Sequence, residues 1–302
     1  MSNSAVRLFP VAPDQRGAAE SWLEDPDRAP RRPRPASSVV LVRDSPQGPL
    51  TYLAYRPGES PLGRVAFPGG SVEPGDDDAV GWFGPEPAQW ARTMGLEDHH
   101  VARRHVVAAI RELFEETGIL LAGRDESSLL EGNGGPDWMA ARTAIASRDA
   151  NFLDLLNRRG LGLRTDLLRP LSYWQSPDFA LRRFETRYFA AVAPMGQEAS
   201  LLEGKGVWGR WVAAADVVAA ADTSALGDEI GRPETQGRTL GELTVPAVGL
   251  MLEKIAASRS CIAYLSKRRA PEPFRPELVE VDGELRLAVR SPHSEDAGRR
   301  VR

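Results

Sequence analysis

The stretch "AAIRELFEETGILLAG", residues 108–123, crowds Glu112, Glu115 and Glu116 beside Arg111 and meets a glycine at Gly118. At about 100° per residue the three glutamates share one side of a helix, within roughly a 100° arc. Val106, Val107, Ile110, Leu113, Phe114 and Thr117 take the other side. The spacing therefore predicts an amphipathic helix over about 99–117, with one buried and one solvated face. Gly118 can adopt the left-handed conformation that ends it. Like charges at this spacing repel by only about 0.2–0.5 kcal/mol per pair when exposed. An ordinary wet face tolerates that, so the flanking sequence must decide whether the acids do chemistry.

Upstream, "AFPGGSVEPGDDD" (66–78) is a glycine–proline loop followed by acids, and Gly69–Gly70 close a predicted strand. Glycine there lets the backbone turn sharply and present a carbonyl where a side chain would obstruct it. Three carboxylates on one helical face can hold hard divalent cations such as Mg²⁺, which take oxygen ligands. Such ions offset the mutual repulsion and bridge phosphate oxygens, while a neighbouring carboxylate takes a proton from an attacking water. The crowding makes sense if a polyanion and its cations complete the site.

These residues carry a resemblance. "GGSVEPGD" (69–76) followed by "RELFEETGI" (111–119) resembles the Nudix box: a glycine, five residues, an acid, seven residues, then Arg-Glu-apolar-x-Glu-Glu-x-Gly-apolar. Arg111, Glu112, Leu113, Glu115, Glu116, Gly118 and Ile119 match its second half, and Gly70 its opening glycine. There are two departures. Asp76 stands where the family has glutamate, and residues from about 77 to 104 are inserted before Arg111. Loop closure costs entropy only with the logarithm of length, so loop and helix can still meet. A split box resembles the Nudix branch that includes the peroxisomal coenzyme A diphosphatases. "SPDFALRRFETRYF" (176–189) is similar to that branch too, through Trp174, Pro177, Arg183, Phe184, Glu185, Thr186 and Phe189. The resemblance covers roughly residues 36–260.

It implies an α/β fold, a Nudix α/β/α sandwich with a mixed sheet and helical insertions within and after the box. It implies that Glu115 and Glu116 bind Mg²⁺ or Mn²⁺, with the Gly69 carbonyl as a further ligand, and that Glu112 is a ligand or the general base. Arg111 would orient carboxylates through bidentate hydrogen bonds and hold Asp76, steadying the loop; the plainer alternative is a surface ion pair. Glu185 either adds an acid to the metal site or pairs with Arg183 or Arg187. Arg56, Arg64, Arg182 and Arg183 are candidates for substrate phosphates, or are simply solvated. Trp174, Phe179 and Tyr188 can stack an adenine or fill core. His99, His100 and His105 lack companion ligands and are expected to face solvent. Trp82, Phe83 and Trp90 are expected to pack the insert onto the body rather than form a lid.

The implied reaction is metal-assisted hydrolysis of the diphosphate bond in a nucleoside diphosphate linked to another group, with coenzyme A or an acyl-coenzyme A as first substrate. The alternatives are nucleotide sugars, NADH, ADP-ribose or damaged nucleotides, or a nucleotide sensor without catalysis. Degenerate sensors of that sort lose box acids, and this chain keeps all three helical glutamates.

The 302 residues carry a net charge of −4, which gives no broad basic footprint for nucleic acid. One cysteine, Cys261, excludes an internal disulfide or a cysteine-built metal site. No signal-peptide core and no membrane-length apolar run stands out, the chain ends "GRRVR" without a Ser-Lys-Leu tail, and a cytoplasmic protein is expected, with no membrane partner and a homodimer as the assembly. Three parts are expected: a Pro/Arg-rich arm over 1–35, the main domain over 36–260, and a C-terminal extension over 261–302. The main domain carries an insert at about 77–104 and a helical one at about 124–168. Strands are predicted at "SSVVLVRD", "LTYLAYRP", "RRFETRYFAAVA" and "GVWGRWVAA", a helix from "AAADVVAAA", and another at "LTVPAVGLMLEKIAAS" with Thr244 as cap and Pro246 in its first turn. Asp282–Gly283 signals a hairpin.

Overall fold

The computed structural model describes residues 6–25, 27–132, 134–202, 207–267 and 273–290. In chain order the first elements are β1 (Arg7–Pro10), α1 (Arg16–Leu23), β2 (Arg34–Arg43), β3 (Leu50–Tyr55), β4 (Val65–Ala66), β5 (Gly69–Ser71), β6 (Gly81–Phe83), α2 (Pro87–Met94) and α3 (His99–Thr117). Then come β7 (Ala122–Gly123), α4 (Pro136–Ala146), α5 (Phe152–Arg158), β8 (Gly162–Arg164), β9 (Arg169–Gln175), β10 (Phe184–Val192) and β11 (Gly209–Ala213). The chain continues through α6 (Ala214–Ala219), α7 (Ala225–Ile230), α8 (Leu240–Leu243), α9 (Pro246–Ala256), α10 (Cys261–Leu265), β12 (Pro273–Phe274), β13 (Glu277–Val281) and β14 (Glu284–Val289).

The central sheet runs β11-β3-β2-β10-β9-β12, with β4 added to β3 and β5 to β2. It is mixed: β10 lies parallel to β2 and antiparallel to β9. Alternate residues of β2 and β10 feed two cores, because successive strand side chains point to opposite faces. Val39, Leu41, Phe189 and Ala191 pack with α2, α3 and α5 on one face; Val40, Val42, Tyr188 and Ala190 pack with α8 and α9 on the other. Both middle strands are thus buried twice over, which gives the α/β/α sandwich. No helix among the described residues is long and apolar enough to cross a membrane.

The helix α3 spans the predicted residues, begins on the Asp98 side chain and ends at Gly118 in the left-handed region, φ 77°. Its apolar face is fully buried, as expected. The opposite face is not wet. Arg111 and Glu112 are buried and Glu115 and Glu116 are half-buried, because the loop after β5 folds over them.

The Pro/Arg-rich segment is a correction to the expected arm. Its residues 7–23 form β1, which pairs with β14, and α1. Val11 and Ala19 bury against Phe179 and Leu287, so apolar side chains scattered among the prolines suffice to dock it. Thr244 does not cap α9, whose N-cap is Val245; its hydroxyl instead donates to the Leu240 carbonyl at 2.8 Å, closing α8. The Asp282–Gly283 hairpin forms, both residues at positive φ. The C-terminal "GRRVR" lies outside the described residues.

Candidate active site

Strand β2 changes partner along its length. It pairs with β3 at Val42–Arg43 and with β5 at Ala36–Ser38, which sets Gly69 opposite Ser38 and Gly70 opposite Ser37. Neither glycine has positive φ. Close approach is what demands them. A Cβ on Gly69 would lie 2.6 Å from the Ser37 carbonyl oxygen, and one on Gly70 would lie 2.6 Å from the Glu112 carboxyl carbon. The bare backbone lets β5 lie against both β2 and the acidic face of α3.

Arg111 organises that face. Its Nε and Nη2 donate to the two Asp76 oxygens at 2.8 and 3.0 Å, and Nη2 also donates to the Ser71 carbonyl at 2.8 Å. Its Nη1 donates to Glu112 Oε1 and to Glu115 Oε1, each at 2.9 Å. The shorter acid therefore reaches the arginine despite the insertion. Asp76 also accepts the Glu73 amide at 2.7 Å, so the loop is fixed at its own turn as well. Burial works against the guanidinium charge, yet Asp76, Glu112 and Glu115 outweigh it and raise the Arg111 pKa.

A second arginine links the remaining pair. Arg56 Nη2, at the end of β3, donates to the Gly69 carbonyl at 2.7 Å and to Glu116 Oε2 at 2.5 Å. Burial raises the Glu116 pKa, opposed by Arg56 and by the Gly69 amide. Burial likewise pushes Glu112 up to about 8, with Arg111 opposing and the neighbouring glutamates reinforcing the rise.

These acids border a basin of about 660 Å³, which Arg56, Arg148 and Arg182 also line, with Leu62, Phe184 and Leu202 among its apolar walls. Arg148 and Arg182 are exposed. The basin is thus lined by carboxylates and guanidinium groups together. The donors that would meet a metal are carboxylates and a carbonyl, the set that hard divalent cations take. Among the described residues no three acids close together into a ready cation cage. Their oxygens stand instead in two arginine-bridged pairs, one at Arg111 and one at Arg56. The chemistry of the set fits a divalent ion, and Arg56 already holds a positive charge at one pair.

Other expected site residues lie elsewhere. Arg64 pairs with Asp14 at 2.9 Å, away from the basin. Arg183 is buried on Asp178 and on the Arg31 and Ser176 carbonyls, bracing the turn before β10. Trp174 stacks on Phe274 at 4.5 Å, and Phe179 fills the small core beneath α1. Glu185 does not join the glutamates: strand alternation puts Phe184 at the basin, and Glu185 accepts from Tyr173 Oη at 3.1 Å. His99 and His100 are exposed as expected, but His105 is buried. Its Nδ1 lies 3.1 Å from Ser37 Oγ, and burial, reinforced by Arg187, lowers its pKa to about 3. Trp90 is buried and packs the insert onto the body.

Two residues were not anticipated. Arg148 enters from the second insert, where nothing local distinguishes it from a solvated arginine. Arg142, fully buried on α4, donates to the Glu115 carbonyl at 2.9 Å and to the Ser200 carbonyl at 2.8 Å. It satisfies an orphan carbonyl in the last turn of α3, where a cation also meets the negative end of the helix dipole.

No family model matches the chain, nor does any curated protein. Among solved structures, a NUDIX hydrolase from Alicyclobacillus acidocaldarius superposes with a TM-score of 0.59 at 22% identity, covering 78% of this chain and 96% of its own. The fold is the Nudix fold. Two further similarities are remote. One is to a C. elegans Ap4A hydrolase binary complex, TM-score 0.31, 14% identity, 65% of this chain and 92% of that one. The other is to the NUDIX domain of Shewanella oneidensis NrtR complexed with ADP ribose, TM-score 0.34, 13% identity, 66% and 86%. Neither adds to the assignment. Within the Nudix fold of this chain, Gly70 and the glutamates of α3 border one basin.

Proposed function

We propose that the chain is a metal-dependent hydrolase that cleaves the diphosphate bond of a nucleoside diphosphate linked to another group. The observation that carries this reading is the meeting of Glu112, Glu115 and Glu116 with the Gly69–Gly70 strand at the rim of an arginine-lined basin. Glu115, Glu116 and the Gly69 carbonyl are assigned to a divalent cation, Mg²⁺ or Mn²⁺. When bound, such an ion offsets the charge that develops on the phosphate oxygens. Arg148 and Arg182 face the phosphates. Glu112, which borders the basin and is oriented by Arg111, takes the proton of the attacking water. A new oxygen–phosphorus bond forms, the bridging phosphorus–oxygen bond breaks, and the second phosphate departs with the electron pair.

Coenzyme A or an acyl-coenzyme A remains the first substrate, on the strength of the split box and the "RRFET" run alone. Cleavage there yields a phosphopantetheine and adenosine 3′,5′-bisphosphate. Since Trp174, Phe179 and Arg183 sit outside the basin, the adenine contact falls instead to residues such as Phe184 and Leu202. The test is a mass-spectrometric screen with Mg²⁺ over coenzyme A, NADH, ADP-ribose and nucleotide sugars. Cleavage of another diphosphate but not coenzyme A rejects the substrate; cleavage of none rejects the hydrolase.

A further inference from the structure

Arg56 closes on the two groups assigned above to a metal. A single nitrogen, Nη2, lies 2.7 Å from the Gly69 carbonyl oxygen and 2.5 Å from Glu116 Oε2, and the Gly69 amide donates to the same Oε2 at 3.2 Å. The two partners come from different elements, β5 and α3, so the guanidinium is what bridges them. The pair is largely shielded, its side chains 19% and 24% exposed. The bridging pose also leaves Arg56 Nε buried with no hydrogen-bond partner. An orphaned buried donor is costly, so another pose that gives Nε a partner is favoured once the bridge is released.

We propose that Arg56 is an internal counter-cation: it occupies the seat between Glu116 and Gly69, yields it to a divalent ion, and swings its guanidinium into the basin toward the diphosphate. Metal–oxygen bonds of about 2.0–2.1 Å for Mg²⁺ leave no room for a guanidinium nitrogen on the same two oxygens. One positive charge must replace the other. Arg56 already lines the basin beside Arg182 and Arg148, so the released group moves within one cleft and joins two cations there. Metal and diphosphate binding are thereby coupled: the ion frees the arginine that the phosphates use, and by linkage the phosphates favour the ion.

The inference rests on the function proposed above, and the experiment separates the two. Mn²⁺ alone is titrated into the full-length protein, its Arg56→Gln and Arg56→Met variants, Glu116→Gln, and the Arg56→Gln/Glu116→Gln double variant, with free Mn²⁺ followed by electron paramagnetic resonance. Thermal melts identify which Arg56 variant is folded. Removing the competing cation is expected to tighten Mn²⁺ binding about tenfold, equivalent to about 1.4 kcal/mol. The gain should vanish when Glu116 is also changed. A role in merely bracing the strand would weaken binding instead. If wild type takes up Mn²⁺ through Glu116 and the folded Arg56 variants bind it equally or less tightly, the counter-cation role is overturned and the hydrolase reading stands. If neither wild type nor the Arg56 variants take up Mn²⁺, both fall.

Discussion

Arg111 grips Asp76 with two parallel hydrogen bonds, 2.8 and 3.0 Å, across a separation of 35 positions that contains a strand and a helix of its own. Both side chains are almost wholly out of solvent, at 6% and 1% exposure. Removing one partner of such a pair strands the other charge. Asp76→Ala is therefore expected to lower unfolding free energy by about 3 kcal/mol, the lower end for a buried pair because Glu112 and Glu115 still hold Arg111. Urea denaturation measures it, and a loss under about 1 kcal/mol would show that the loop is held by something else.

Glu116 sits differently, since glutamine keeps an oxygen for Arg56 and for the Gly69 amide. Glu116→Gln should cut turnover by at least about a hundredfold, the scale expected when a group acting on the reacting centre is lost. Its melting temperature should barely move. Full activity in this variant would remove the acid from the mechanism.

The two glycines separate packing from chemistry. Gly69→Ala meets backbone, the Ser37 carbonyl at 2.6 Å and Ser38 Cα at 2.7 Å, and should destabilise by about 1–3 kcal/mol. Gly70→Ala meets the Glu112 carboxylate first, so it should displace that acid and reduce turnover with a smaller effect on stability. Equal melting losses in the two variants would contradict this division.

His105 makes stability depend on pH. Its pKa falls from 6.5 to about 3 on folding, so between those values the unfolded chain binds a proton that the native chain refuses. Stability is thus lost as pH drops below about 6.5, by up to about 1.4 kcal/mol per pH unit. Unfolding in urea at pH 7.5, 6 and 5 should give a flatter dependence for His105→Asn than for wild type. Identical slopes would place the titration elsewhere.

The box was legible because its chemistry is local: acids at helical spacing, a glycine stop and a glycine pair can be read from two short runs. Asp76 was legible as well, since the family pattern points to one position even when the intervening loop is long. What escaped was tertiary. Whether Glu185 or Phe184 faces the basin depends on strand phase, and one residue of phase moves a side chain to the other face. Arg142 and Arg148 act from the second insert on groups far away in sequence, and no spacing rule encodes that. The docking of residues 7–23 depended on a partner strand, β14, near the other end of the described chain.

That last pairing has a bearing on how the protein is made. Strand β1 leaves the ribosome long before β14, which supplies its neighbour. Until then Leu8 and Phe9 hang on an open edge that invites pairing with foreign chains. Once β14 arrives, the clasp closes beside α9, where Arg7 engages Glu253. A nascent chain stalled before residue 277 would carry that edge without its mate.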